Sequence, residues 1–170
     1  AALKLDAERL RGEGASVMHL AVDGRLAGLL AVTDPIKSST PEAIRTLHAS
    51  GLRIVMATGD GLTTAQAVAT KLGIDEVHAS LLPHEKQEEV LRLSQQYPNL
   101  AFVGDGINDA PSLAVAKVGI SVGSGASDLA IESADVVILS EDLTRVAKAV
   151  DVARKTGKIV RQNITFALVV

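Results

Sequence analysis

The sequence predicts an α/β fold with a doubly wound parallel sheet, and three observations lead to that fold class. Short apolar runs alternate with amphipathic segments along most of the 170 residues, as expected of strands joined by helices. Apolar residues make up 47% of the chain and aromatic residues only 2%, so Val, Ile, Leu and Ala must form the core, which suits sheets buried on both faces. The length is sufficient for one domain with a sizeable core.

Turn and cap signals predict the first elements, which are a helix at 3–11, hairpin strands at 17–22 and 26–32, and a helix at 40–50. Asp23-Gly24 separates the two apolar runs of the hairpin, and Asp-Gly in that position is a strong hairpin signal. Thr40 followed by Pro41 places a cap residue before a proline at the first helical position. A helix and a hairpin are therefore expected before the alternating part of the chain.

The remaining elements are predicted from the alternation itself. The predicted strands are 53–57, 77–79, 100–103, 118–122 and 136–139, and the predicted helices are 62–72, 85–96, 108–115, 128–132 and a long helix from 143. Gly73 ends the helix at 62–72, because glycine commonly follows the last helical residue. This order of elements is the basis for expecting parallel strands.

An acidic turn follows the strand at 100–103, in residues 103–111 (Val-Gly-Asp-Gly-Ile-Asn-Asp-Ala-Pro). Asp105, Asn108 and Asp109 bring two carboxylates and an amide to the carboxyl end of that strand, where open α/β sheets bind their ligands. Mg²⁺ prefers hard oxygen ligands of this kind, completed by water and phosphate oxygens. The turn therefore predicts a magnesium site, and a simple acidic turn after a buried strand is the alternative.

Thr58-Gly59-Asp60 follows the strand at 53–57 and precedes a predicted helix. A hydroxyl and the unpaired backbone N–H groups of a helix N-terminus together form a ready anion site. A phosphate site is one interpretation of these residues, and ordinary helix capping by Thr or Asp is the other.

Lys86 lies in the first turn of the helix predicted from Glu85. A cation is unfavourable there, because the helix dipole places positive charge at this end. Lys86 is therefore interpreted as serving a phosphoryl group, with an exposed surface lysine as the alternative.

Thr58, Lys86 and Asp105, in that order, resemble the later motifs of the haloacid-dehalogenase superfamily. Four strings, together with the acidic turn, narrow the resemblance to the phosphorylation domain of heavy-metal P-type ATPases: Asp34-Pro35-Ile36-Lys37, Met56-Ala57-Thr58-Gly59-Asp60, Ala130-Ile131-Glu132-Ser133-Ala134-Asp135 and Arg161-Gln162-Asn163-Ile164. The resemblance covers nearly the whole chain. It implies a haloacid-dehalogenase-like, Rossmann-like fold that carries an N-terminal hairpin remnant of the nucleotide-binding domain.

The resemblance also implies Mg²⁺ and ATP as cofactors and assigns roles to individual residues. It implies catalytic roles for Thr58, Lys86 and Asp109, cofactor-binding roles for Asp34, Gly59, Asp60 and Asn108, and Mg²⁺ ligation by Asp105 and Asp109. Asp34 has a second interpretation, because Asp before Pro35 favours a turn in any protein.

Three parts of the chain are implied by the same resemblance: the end of a nucleotide-binding domain at 1–33, a phosphorylation domain at 34–160 and the start of a membrane helix at 161–170. The phosphorylated aspartate of the family lies in an Asp-Lys-Thr-Gly-Thr string, which this sequence does not contain. The sequence turns apolar over 163–170 after Lys155, Lys158 and Arg161, as expected at a cytoplasmic flank. The buried end of a C-terminal helix is the alternative for this segment.

We therefore expect the ATP-hydrolysing part of a heavy-metal cation-transporting P-type ATPase, on the cytoplasmic side of a membrane protein. Its expected partners are ATP, a metal cation carried by a membrane domain, and the remainder of the same protein. Copper is the first expectation for the metal and zinc or cadmium the second. The chain alone is expected to be inactive, because it lacks the nucleophile motif.

Two other functions stay open, namely a soluble haloacid-dehalogenase-like phosphatase and a non-catalytic domain that binds nucleotide or a partner. The missing nucleophile argues against the first. A net charge of −3 gives no reason to expect nucleic-acid binding. The absence of cysteine excludes disulfides and thiolate metal sites, and the four histidines lack the spacing of metal ligands.

Overall fold

The computed structural model describes residues 2–33, 35–104, 107–124 and 128–169. The α-helices are α1 (Ala2–Gly12), α2 (Thr40–Ala49), α3 (Leu62–Leu72), α4 (Pro83–Gln96), α5 (Ala110–Val115), α6 (Asp128–Ser133) and α7 (Thr144–Val169). The strands are β1 (Ser16–Val22), β2 (Arg25–Val32), β3 (Val55–Ala57), β4 (Glu76–His78), β5 (Ala101–Gly104), β6 (Val118–Val122) and β7 (Val136–Ile138). A 3₁₀ turn over Ile107–Asp109 precedes α5. The first two residues of the helix predicted at 108–115 therefore lie in this 3₁₀ turn, and the α-helix itself begins at Ala110.

The parallel strands confirm the predicted α/β class, but they form two sheets. Strand β3 pairs in parallel with β4, and β5, β6 and β7 form a second parallel sheet in that order. The two-stranded hairpin β1–β2 is the third sheet and is antiparallel. A continuous doubly wound sheet would need a pairing between the two parallel sheets, and the described strands do not supply one.

The hairpin forms where the sequence predicts it. Asp23 and Gly24 have φ values of 49° and 73°, so both central residues lie in the left-handed region that a tight hairpin turn requires. Ser16 pairs with Val32 at the open end of the hairpin. The apolar side chains of Met18, Leu20, Leu30 and Val32 are about half exposed.

Helix α1 packs against α3 and so joins the N-terminal part of the chain to the β3–β4 unit. The buried Thr64 hydroxyl of α3 donates to the carbonyl of Ala15 at 3.0 Å, and Lys71 Nζ donates to the carbonyl of Glu13 at 2.9 Å. The division of the chain at residue 33 stays a prediction.

The β5–β6–β7 sheet has its core on the face that packs against α7. Ile120, Val122, Ile138 and Val146 form this buried cluster. Asp142 fixes the start of α7, because its Oδ1 accepts from the N–H of Thr144 at 3.0 Å and from its hydroxyl at 2.7 Å. These hydrogen bonds lower the pKa of Asp142.

Helix α7 continues for 26 residues, and its side chains are exposed from Asp151 onward. Among the described residues, none of the helices combines the length and the apolar content that crossing a bilayer requires. The membrane helix predicted to start at 161–170 is not tested by this observation and stays a prediction.

Helix α4 begins two residues earlier than predicted, at Pro83. Proline suits the first helical position because it has no N–H that would need a partner there. The Glu85 carboxylate accepts from the backbone N–H of Leu82 at 2.7 Å, which satisfies a donor just before the helix. This start places Lys86 within the first turn.

Candidate functional site

The turn after β3 is organised by the side chains of Thr58 and Asp60. The Thr58 hydroxyl donates to Asp60 Oδ2 at 3.1 Å and accepts from the Asp60 backbone N–H at 3.1 Å. Ser16 of β1 donates to the other Asp60 oxygen at 3.3 Å. Helix α3 begins directly afterwards, and no side chain caps it at Gly61. The first N–H groups of the helix, which have no partner within it, are therefore not occupied by a capping side chain. These features suit a bound phosphoryl group.

Backbone hydrogen bonds join this turn to the loop that leads into α4. The Thr58 N–H donates to the His78 carbonyl at 2.9 Å, and the Thr58 carbonyl accepts from the Leu81 N–H at 3.0 Å. Ser80 donates its N–H to the Asp60 carbonyl at 2.7 Å. A Cβ at Gly59 would lie 3.3 Å from the Leu81 carbonyl oxygen, so glycine permits this close approach. The Thr58 turn is therefore held beside the start of α4.

An ion pair connects α4 to the acidic turn. Lys86 Nζ lies 2.9 Å from Asp109 Oδ1, and the two side chains are only 19% and 15% exposed. The attraction between two largely buried charges of this kind is screened less by water than the attraction within a surface pair. The sequence separated these residues by 23 positions, and the fold brings them into contact at the carboxyl ends of the strands.

Asp109 also packs closely on the end of β5. A Cβ built on Gly104 would lie 2.7 Å from Asp109 Cβ and 2.9 Å from its Oδ2. Any side chain at position 104 would therefore displace the carboxylate. Asn108 lies beside Asp109 in the 3₁₀ turn and is exposed.

Two of the predicted site residues, Asp34 and Asp105, lie outside the described residues. The hydrogen bonds of the described residues join Lys86 to Asp109 and Thr58 to Asp60, but they do not join Asp60 to Asp109. Within the same ranges, no group of three or more His, Asp or Glu side chains could hold a metal ion.

A network of charged side chains beneath the site was not predicted from the sequence. His78 places Nε2 at 2.9 Å from Glu76 and Nδ1 at 3.2 Å from Glu89, so it joins β4 to α4. Arg53 pairs with the Glu76 carboxylate and Arg92 with the Glu89 carboxylate. The hydrogen bond from His78 lowers the pKa of Glu76, and that from Arg92 lowers the pKa of Glu89. These charged residues lie within ordinary strand and helix patterns, and such patterns do not predict which side chains of different elements come into contact.

The chemistry of these residues fits phosphoryl transfer assisted by a divalent cation. Thr58 and the N-terminus of α3 can bind phosphoryl oxygens, and Lys86 can offset their charge. Asp109 offers one largely buried carboxylate, and Mg²⁺ commonly uses one or two carboxylates together with phosphate oxygens and water. The described residues therefore supply one fitting ligand for Mg²⁺, and a phosphoryl group and further oxygens would complete the site.

The chain is similar in sequence to one described protein family and to known cation-transporting ATPases. Residues 1–117 match the family described as haloacid dehalogenase-like hydrolase. The chain is 52% identical over 162 residues to copper-transporting ATPase 2 of Rhizobium meliloti (strain 1021), covering 95% of this chain and 20% of that protein. It is 49% identical over 166 residues to the silver exporting P-type ATPase of Salmonella typhimurium, covering 98% of this chain and 20% of that protein.

A solved structure is similar over almost the same range. The zinc-transporting PIB-type ATPase in its E2.Pi state matches 98% of this chain and 27% of that chain, with a TM-score of 0.82 and 36% sequence identity. The chain thus spans about a fifth of the length of the curated relatives it matches. These similarities confirm the resemblance to heavy-metal P-type ATPases inferred from the motifs.

Proposed function

The chain belongs to the haloacid dehalogenase-like hydrolase family, and on that premise we propose that it is the phosphorylation part of a heavy-metal cation-transporting P-type ATPase. In the complete protein, ATP would phosphorylate an aspartate outside this chain, and hydrolysis of that acyl phosphate would drive cation movement. The contact between Lys86 and Asp109 carries the proposal, because it brings a cation and a carboxylate from two separate motifs to one place, as the positioning and electrostatics of phosphoryl transfer require.

Each residue has a proposed role in that reaction. Thr58 and the Gly59 backbone bind phosphoryl oxygens, and Lys86 neutralises their charge. Asp105 and Asp109 hold Mg²⁺ and the adjacent Asn108 orients that site, while Asp60 and Asp34 help to bind the nucleotide. When bound, Mg²⁺ neutralises charge that develops on the transferred phosphoryl group. Catalysis of this kind depends mostly on positioning and electrostatics.

The unpaired edges of the two parallel sheets indicate where the strand that carries the nucleophile would pair in the complete protein. In the described part of the chain, β3 pairs with β4 alone and β5 with β6 alone, so each has an edge with unpaired backbone groups. Thr58 follows β3 and Asp109 follows the end of β5, so both strands deliver site residues at their carboxyl ends. We infer that the strand ending in the phosphorylated aspartate pairs between β3 and β5 in the complete protein.

Copper is the proposed cargo, with zinc or cadmium second, since proteins named for copper transport are among the most similar relatives. The proposed location is a membrane, with this part on the cytoplasmic side. Cation selection would lie in the membrane domain of the complete protein.

The test measures ATP hydrolysis by the complete protein in Mg²⁺, with Cu⁺, Zn²⁺ or Cd²⁺ added in turn. We expect Cu⁺ to stimulate hydrolysis and an acid-stable phosphoprotein to form. Lys86→Met should reduce turnover by about a hundredfold, because it removes a charge that faces the phosphoryl group. The matched control is Lys148→Met, an exposed lysine on α7, which should retain normal turnover.

Three other results would contradict the proposed cargo, the proposed reaction or the catalytic role itself. Stimulation by Zn²⁺ or Cd²⁺ alone would replace copper as the cargo. Hydrolysis of simple phosphate esters without a phosphoprotein would favour a phosphatase. Nucleotide binding without any turnover would favour a regulatory domain.

A further inference from the structure

Ser121, the fourth of the five residues of β6, has a hydroxyl group that the proposed roles do not use. Its side chain is completely buried, and its hydroxyl has no hydrogen-bond partner among the described residues. Burying a hydroxyl without a partner is unfavourable, because the group gives up its hydrogen bonds to water. An alanine would fill nearly the same space without that cost, so the hydroxyl needs an explanation.

The direction of the Ser121 side chain follows from its neighbours on β6. Ile120 and Val122 belong to the cluster that packs against α7. Side chains alternate between the two faces of a strand, so Gly119 and Ser121 face the opposite side. Helix α5 covers that side, because the Leu113 carbonyl oxygen lies 2.5 Å from the Cβ position of Gly119. Ser121 therefore faces the elements that carry Asp109.

Ser121 is also the register partner of Gly104, the residue on which Asp109 packs. Neighbouring strands lie about 4.8 Å apart, and paired residues of parallel strands direct their side chains to the same face. Asp109 Oδ2 lies over Gly104, whereas Oδ1 is bound to Lys86. The buried Ser121 hydroxyl thus lies one strand away from the carboxylate oxygen that Lys86 does not hold.

We propose that Ser121 is a positioning residue for Asp109, and that its hydroxyl donates to Oδ2 when a divalent cation binds. To ligate a cation, the carboxylate must turn partly away from Lys86. The hydroxyl then fixes the second oxygen and limits the orientations that the carboxylate can adopt. This inference rests on the proposed function, because that function assigns Asp109 to the Mg²⁺ site.

The test compares Ser121→Ala with Ser94→Ala in the complete protein that contains this chain. Ser94 on α4 also has a buried hydroxyl without a partner in the described ranges, but it lies eight residues after Lys86, about 12 Å along the helix. Ser121→Ala should raise the Mg²⁺ concentration for half-maximal ATP hydrolysis about three- to tenfold, the worth of one hydrogen bond. Ser94→Ala should leave that concentration unchanged.

Thermal unfolding separates positioning from a structural role. The unfolding midpoint of Ser121→Ala without Mg²⁺ should equal or exceed that of the wild type, because no hydrogen bond is lost in the metal-free fold. The increase in the midpoint on adding Mg²⁺ should be smaller than in the wild type, since a ligand that binds more weakly stabilises the folded state less at the same concentration. In an Asp109→Asn background, Ser121→Ala should no longer alter this increase.

Each remaining outcome has a definite meaning. A clear drop in the metal-free midpoint, or an unchanged Mg²⁺ dependence in an otherwise active protein, would overturn the role of Ser121 and leave the proposed function intact. A wild-type protein without Mg²⁺-dependent ATP hydrolysis would overturn both.

Discussion

The two sides of the site are held in different ways. On the β3–β4 side, backbone hydrogen bonds join the Thr58 turn to the next loop, and its side chains are largely exposed. On the β5–β6 side, two glycines allow elements to approach so closely that no Cβ would fit, and the surrounding residues are buried. The first side depends on the polypeptide backbone and the second on packing, so substitutions should affect their stability very differently.

Gly119→Ala on the packed side should have the largest effect on stability. The new Cβ would lie 2.5 Å from a backbone oxygen of α5, which cannot move without shifting the helix. Overpacking of this kind should lower the free energy of unfolding by about 3 kcal/mol, measured by urea unfolding of the chain.

Gly28→Ala is the matched control, because Gly28 is also a strand glycine but a Cβ there meets nothing within 4 Å. Its effect should stay within about 0.5 kcal/mol. If both variants lost the same free energy of unfolding, close packing at Gly119 would not explain the effect of Gly119→Ala.

Thr58→Val on the backbone-held side should have a smaller effect on stability and a large one on activity. The substitution keeps the shape of the side chain and removes two hydrogen bonds with Asp60 in an exposed turn. The free energy of unfolding should fall by about 1 kcal/mol, while ATP hydrolysis by the complete protein falls at least about tenfold. Near-normal turnover would remove Thr58 from the phosphoryl site.

Acid should weaken the β3–β4 side through its charged network, with the smallest effect of the three. The pKa values of Glu76 and Glu89 are lowered from 4.5 by their hydrogen bonds to His78 and Arg92. Their contribution to stability is therefore complete above about pH 4.5 and is lost as the pH falls through the lowered values.

Thermal unfolding at pH 7 and pH 3.5 checks this prediction. Glu76→Gln should reduce the difference between the two midpoints by about 2 °C, because partly exposed pairs contribute little. Glu88→Gln, at an exposed position of α4 next to Glu89, should behave like the wild type. An unchanged difference in Glu76→Gln would show that the network does not stabilise this side.

Local sequence patterns predicted the elements well, because each pattern is set by neighbouring residues. The helix at Leu62–Leu72 and the strand at Val118–Val122 have the predicted bounds. The division of the parallel strands into two sheets could not be predicted in this way. Apolar periodicity identifies a strand but not its partner, which depends on contacts between distant parts of the chain.

The residues of the candidate site also fall into two groups, those that local motifs predict and those whose position depends on contacts between distant parts of the chain. The motifs predict Thr58, Lys86 and Asp109 as site residues, and the structure places the last two in contact. No local pattern points to Ser121, because one serine within an apolar strand looks like any other buried small residue. Its position beside Gly104 depends on strand register, which the apolar pattern leaves open when both faces are buried.

Helix α7 has a mechanical consequence that its sequence alone does not suggest. It is capped at Asp142, and Arg154, the eleventh of its 26 residues, donates to the Ser50 carbonyl at 2.7 Å, which ties α7 to the end of α2. The 15 residues beyond Arg154 extend about 22 Å from that tie without a break. A tilt of about 10° at the tie would therefore move the far end of α7 by about 4 Å relative to α2.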